Sequence, residues 1–178
     1  MLTGQCKDAN VVKTTLNCNY YSTLAACRAF ITLLKPTGRI VNVASTSGSL
    51  SKYSPSIRDR FLAAKSEADV SSIMHEFQSA VEAAKEKEAG FPSAAYAVSK
   101  AGLIGGTKAM ARDMQEKGSK VLINSCCPGY VNTDMTKGNG TKTPDDGAKT
   151  PVWLAIQDFG EKTGAFYRDE KEIHWQKL

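Results

Sequence analysis

The sequence predicts an α/β protein with a parallel sheet, and three observations carry that prediction. Two short β-branched runs, residues 39–44 and 121–125, are each flanked by long stretches of helical periodicity. Each run also ends in small or turn-forming residues, Ser45-Thr46-Ser47-Gly48-Ser49 after the first and Pro128-Gly129 after the second. Strands that alternate with helices need crossover connections, and these make neighbouring strands parallel.

Apolar residues recur at Val12, Leu16, Tyr20, Leu24, Cys27, Ile31 and Leu34, which predicts one helix that stops at Lys35-Pro36-Thr37-Gly38. Arg39-Ile40-Val41-Asn42-Val43-Ala44 follows as a buried strand. Residues 54–90 read as a helical insertion. Ser54-Pro55 opens a short helix, Ser66 and Asp69 form a capping pair, and Val70, Ile73, Met74, Phe77, Val81 and Ala84 make one apolar stripe. A second long helix is expected from residue 93 to about 117, with Gly118 as its stop. Its interior Gly102, Gly105 and Gly106 each cost about 1 kcal/mol against alanine, so another backbone or a ligand is expected to approach closely. Val121-Leu122-Ile123-Asn124-Ser125 is the second strand, Thr143-Pro144-Asp145-Asp146 starts a helix reaching about Ile156, and Gly164-Ala165-Phe166-Tyr167 is a weaker third strand.

Composition narrows the function classes. The 178 residues suit one domain, and 42% hydrophobic with 23% charged residues is an ordinary globular balance. The net charge of +5 is spread without a basic block. It mildly favours an anionic ligand such as a phosphorylated cofactor and argues against nucleic acid as a partner. Five cysteines without CxxC spacing point to a reducing compartment, so Asn139-Gly140-Thr141 reads as an accidental sequon. Residues 1–10 are polar, and the most apolar stretch, 24–34, is short and holds Arg28. A cytoplasmic protein with no membrane partner is the expectation.

The strongest chemical signal is Tyr96-Ala97-Val98-Ser99-Lys100. Four residues apart on a helix, Tyr96 and Lys100 share a face, and an ammonium beside a phenol favours the phenolate. Such a pair suits acid/base work near neutral pH, although an ordinary exposed Tyr and Lys is the blander alternative. Ser45 stands at the carboxyl end of the first strand, where ligands gather in open α/β sheets. Asn19 interrupts the apolar stripe of the first helix and should need a partner there. Other chemistry has thinner support. Ser49-Leu50-Ser51-Lys52 fits an acylation pattern with no companions, His75 and His174 are isolated, and no metal-ligand spacing occurs. Cys127 reads as a buried structural cysteine or as a reactive thiol.

Together Asn19, Ser45, Tyr96, Lys100 and the turn Pro128-Gly129-Tyr130-Val131-Asn132-Thr133 resemble the short-chain dehydrogenase/reductase family. Lys35-Pro36-Thr37-Gly38-Arg39, Phe91-Pro92-Ser93-Ala94-Ala95-Tyr96 and Cys126-Cys127-Pro128-Gly129 are similar to its monomeric carbonyl reductase branch, as is the long insertion. The resemblance implies the C-terminal part of a Rossmann-like doubly wound parallel sheet and hydride transfer from NADPH to a ketone, aldehyde or quinone. It implies that Tyr96 donates the proton, Ser45 binds the carbonyl oxygen, Lys100 lowers the Tyr96 pKa and holds the ribose, and Asn19 keeps a relay water. Pro128, Gly129, Val131 and Thr133 would seat the nicotinamide, while Thr46, Ser47, Tyr130 and Met135 would line a pocket for a small carbonyl substrate. The family's glycine-rich phosphate turn, its residue choosing NAD or NADP and its Asn-Asn-Ala-Gly segment have no counterpart here. The resemblance therefore implies an N-terminally truncated domain over residues 1–178 that holds only the nicotinamide half of its cofactor. Two outcomes follow, a carbonyl reductase or an inactive remnant acting by protein association.

Overall fold

The computed structural model describes residues 8–158 and 160–177. The first seven residues of the polar stretch 1–10, and Cys6 with them, lie outside that range. Four strands form one sheet in the order β1 (Arg39–Val43), β2 (Leu122–Cys127), β3 (Phe166–Arg168) and β4 (Lys171–Glu172). The first three are parallel, with Arg39 opposite Leu122 and Ser125 opposite Phe166, whereas β4 turns back antiparallel on β3. β1 is the outermost strand of that order.

Helices cover both faces. Ile40 and Ile123 pack into the main core with α1 (Ala9–Leu16), α2 (Ser22–Ile31), α3 (Pro55–Ala63), α4 (Glu67–Glu82) and α5 (Ala95–Glu116). Val41 points the other way, into a smaller cluster with Cys126, Leu154 and Tyr167 beneath α6 (Pro144–Ile156). This alternation along β1 is the period-two rule of a strand covered on two sides. Polar residues in the strands are paired. Asn42 donates to Thr107 Oγ1 at 2.9 Å and accepts from Cys27 Sγ at 3.3 Å. Asn124 bonds Lys162 O and the Ala165 amide. Among the described residues, no helix is long and apolar enough to cross a membrane.

The first helix is not the single α-helix that the periodicity predicts. Residues Asn17–Tyr21 form a π segment between α1 and α2, with the Ser22 amide bonded to Asn17 O. Val12, Leu16, Tyr20 and Leu24 are four residues apart, and each such step drifts about 40° around an ideal helix. The wider π turn absorbs that drift and keeps all four side chains buried.

The helical insertion ends earlier than residue 90. α4 stops at Glu82, and turns with Ala84 and Gly90 at positive φ lead into Phe91. The Ser66/Asp69 capping box closes its start as expected. β4 was missed by the sequence reading because its hairpin turn, Asp169-Glu170, has both residues at positive φ without a glycine. An ion pair from Lys142 to Asp169 and a bond from the Glu170 amide to Thr150 Oγ1 pin that turn.

The glycines of α5 also need a correction. Their neighbours are side chains, not a backbone or a ligand. A Cβ at Gly102 would meet Met74 Sδ at 2.6 Å, at Gly106 Leu24 Cδ1 at 2.6 Å, and at Gly105 Trp175 Cη2 at 3.2 Å. α5 is thus the packing hub against which the flanking helices and the C-terminal turn rest.

Candidate functional site

The site forms where β1 and β2 end and α5 begins. Ser45 lies two residues past the end of β1 in extended backbone, and its hydroxyl accepts from the Ser47 amide at 3.1 Å. The 3₁₀ turn Thr46–Gly48 then docks against α5. A Cβ on Gly48 would lie 2.7 Å from Lys100 C and from Ala101 N, so only glycine permits this approach.

Tyr96 sits in the first turns of α5, half-buried. Burial pushes its phenol up, and the Ser45 hydroxyl acts against that as a hydrogen-bonding neighbour. The Lys100 ammonium is 5.6 Å from the Tyr96 ring centre and donates to Val43 O at 2.9 Å. Desolvation in turn holds the Lys100 ammonium below its ordinary value, opposed by Cys18, Cys127 and Cys126. The net state at neutral pH is a protonated phenol beside a serine, with two ammonium N–H bonds of Lys100 left for another acceptor.

Asn19 lies in the π segment and finds the partner that its position demanded. Its amide donates to Ser99 Oγ at 3.0 Å, and Ser99 donates on to Tyr96 O at 2.8 Å. The sequence reading passed over Ser99, although a serine inside a buried helix face was a usable signal.

The turn after β2 is firmly closed. Gly129 has φ +90. Tyr130 O accepts from the Thr141 and Lys142 amides, and Asn132 N donates to Lys142 O. Thr136 Oγ1 ties Val131 O to Thr133 O. Pro128 and Val131 are half-buried, whereas Thr133 is exposed. Lys142, also unanticipated, lays its stem beside Gly129. Thr46 accepts from Cys127 Sγ at 3.6 Å, which ties the two strand ends together. Cys127 is buried, as is Cys126, whose thiol burial pushes up to about 12. Ser47 is exposed, and Tyr130 and Met135 are 52% and 70% exposed, so these three stand around the strand ends without enclosing them.

This donor set fits the nicotinamide end of a dinucleotide. It offers a cation with free N–H bonds, a phenol, and a glycine turn beside a strand end. Among the described residues, no three His, Cys, Asp or Glu side chains gather to hold a metal. A cavity of ≈ 330 Å³ lies elsewhere, between α2 and α4, lined by Tyr20, Tyr21, Arg28, Glu67 and Ser71.

Comparison with known proteins adds findings of three kinds. Residues 63–144 match the family model described as short chain dehydrogenase. Carbonyl reductase (NADPH) 3 of Rattus norvegicus is 36% identical over 168 residues, covering 90% of this chain and 61% of that protein. Carbonyl reductase (NADPH) 1 of Homo sapiens is 34% identical with the same coverage. Among solved structures, salutaridine reductase from Papaver somniferum superposes with TM-score 0.79 at 28% identity, covering 89% of this chain and 55% of that one. Menthone neomenthol reductase from Mentha piperita gives TM-score 0.69 at 26% identity, covering 89% and 51%. The chain spans about three fifths of the length of the curated relatives that it matches.

Proposed function

The chain belongs to the short-chain dehydrogenase/reductase family, and from that premise we propose that it is the catalytic part of an NADPH-dependent carbonyl reductase. The observation that carries the proposal is the convergence of Ser45, a protonated Tyr96 and Lys100 where β1 ends against α5. When bound, the reduced nicotinamide supplies a hydride to the carbonyl carbon of a ketone, aldehyde or quinone.

The chain's own residues do the rest. Tyr96 gives its phenolic proton to the carbonyl oxygen, and the upward push of burial supports this by keeping the proton in place at neutral pH. Ser45 donates a hydrogen bond to that oxygen. Lys100 turns its remaining N–H bonds to the ribose hydroxyls and gives the site its fixed positive charge. Asn19, held by Ser99, orders the route by which Tyr96 regains a proton. Pro128, Gly129, Val131 and Thr133 hold the nicotinamide end, while Thr46, Ser47, Tyr130 and Met135 face the substrate. The partner is a small carbonyl compound, and neither nucleic acid nor a membrane enters the reading. α4 packs on α1 and α5, which supports a monomer in which the insertion covers those helices. The proposed setting is the cytoplasm.

Titration of NADPH fluorescence with the chain, together with NADPH oxidation on quinone and ketone substrates, tests this. Tyr96→Phe should lower turnover by about 10²-fold or more with cofactor binding retained. Tyr96→Phe turning over as fast as wild type would refute the assignment. A chain that neither binds nor oxidises NADPH favours the second reading, in which it acts by protein association alone.

A further inference from the structure

We infer that Trp175 is a positioning residue that fixes the Ser45–Gly48 turn against α5, so that the C-terminal segment sets the placement of Ser45 beside Tyr96. The inference rests on Ser45 and Tyr96 forming the site proposed above.

The Trp175 indole N–H donates to Gly48 O at 2.7 Å, a buried bond that joins residues 127 positions apart. Trp175 is 4% exposed. Its ring meets Phe61 of α3 edge-on, centroids 5.5 Å apart at 72°. The ring also rests on Gly105 of α5. On its other side, Gly48 lies so close to the α5 backbone at Lys100 that no Cβ fits. The turn is therefore clamped between the helix that carries Tyr96 and Lys100 and the indole.

The clamp reaches Ser45 because the turn moves as a unit. Gly48 N bonds Ser45 O at 3.0 Å, Ser49 N bonds Thr46 O at 3.0 Å, and Ser47 N bonds Ser45 Oγ at 3.1 Å. Displacing the Gly48 carbonyl displaces the Ser45 hydroxyl with it. The indole itself is delivered by the strand hairpin, since Ile173 N bonds Phe166 O at 2.8 Å just before the chain turns inward. An unsatisfied indole N–H in this packing would be costly, so bond and placement reinforce each other.

The test reads the Tyr96 phenol directly and needs no turnover. In the full chain labelled with ¹³Cζ-tyrosine, the Tyr96 resonance is assigned with Tyr96→Phe and titrated with pH. A hydroxyl hydrogen-bonded to Tyr96 favours its phenolate, so Ser45→Ala should raise the midpoint. Trp175→Phe keeps an aromatic ring but lacks the N–H, and should raise the midpoint in the same direction. The double variant should shift no further than Ser45→Ala alone. A purely structural role for Trp175 predicts lower stability with an unmoved Tyr96, and that result in a folded Trp175→Phe overturns the inference. An unmoved Tyr96 in Ser45→Ala overturns the Ser45–Tyr96 pairing itself, and the inference with it. Should Trp175→Phe fail to fold, hydrogen exchange in the wild-type chain decides. A protected Trp175 indole N–H that loses protection in Gly48→Ala supports the clamp, and one that exchanges as freely as an exposed indole overturns it.

Discussion

Replacing Gly48 by alanine isolates the contact that holds the Thr46–Gly48 turn to α5. The added Cβ would sit 2.7 Å from Lys100 C and Ala101 N and 3.0 Å from Lys100 O. Reaching an ordinary contact of 3.4 Å or more requires a displacement of about 0.7 Å. All three atoms are helix backbone, so no side chain can rotate away. Overpacking typically costs about 1–3 kcal/mol, and a backbone-to-backbone clash lies at the upper end, about 3 kcal/mol. That is a loss of about 150-fold in the folding equilibrium.

Gly105→Ala is the internal control. It gains about 1 kcal/mol of helix propensity, and its nearest neighbour is Trp175 Cη2 at 3.2 Å, a few tenths of an ångström too close. Its net effect should stay within about 1 kcal/mol of zero. Urea unfolding followed by far-UV circular dichroism reads both. With a slope of about 2 kcal/mol/M, Gly48→Ala should lower the midpoint by about 1.5 M and Gly105→Ala by less than about 0.5 M. Equal midpoints for the two variants would refute the claim that backbone contact, rather than glycine as such, governs these positions.

Two further outcomes follow from buried polar groups. Thr107→Val removes the acceptor of Asn42 Nδ2 in the core and should cost about 1–3 kcal/mol in urea unfolding, whereas a neutral effect would mean that Asn42 finds another partner. Tyr53 has a buried hydroxyl with no hydrogen-bond partner among the described residues, so Tyr53→Phe should be neutral or stabilising by up to about 1 kcal/mol at neutral pH, and a loss above about 1 kcal/mol would contradict this. Burial also raises the Tyr53 phenol far above, and the Tyr20 phenol to about 12 from, the ordinary value of 10.0. The unfolded chain therefore releases these protons first as pH rises. Their contribution is fully present below about pH 10 and is lost above it, and Tyr53→Phe should move alkaline unfolding to higher pH.

Elements that depend on local signals are legible in the amino-acid sequence. The strand at Arg39–Val43, the Ser66 cap of α4, the start of α6 at Pro144 and the long helix bearing Tyr96 all follow from periodicity and capping, although β1 is an edge strand with Val43 exposed rather than the buried strand expected. The candidate site residues also stand out in the sequence, because Asn19, Ser45, Tyr96 and Lys100 are chemically unusual at their local positions. What tertiary structure decided was everything that depends on distant partners. The π segment exists to keep the Asn17–Tyr21 turn in step with α5, the α5 glycines make room for side chains from four other segments, and the Asp169-Glu170 turn is pinned by Lys142 and Thr150. Burial leaves the Tyr96 phenol raised, with the Ser45 hydroxyl opposing it, while the Lys100 ammonium donates to the Val43 carbonyl. Sequence spacing fixes which side chains share a helix face. Desolvation and the nearest hydrogen-bonding neighbour set their charge, and both are properties of the packed chain.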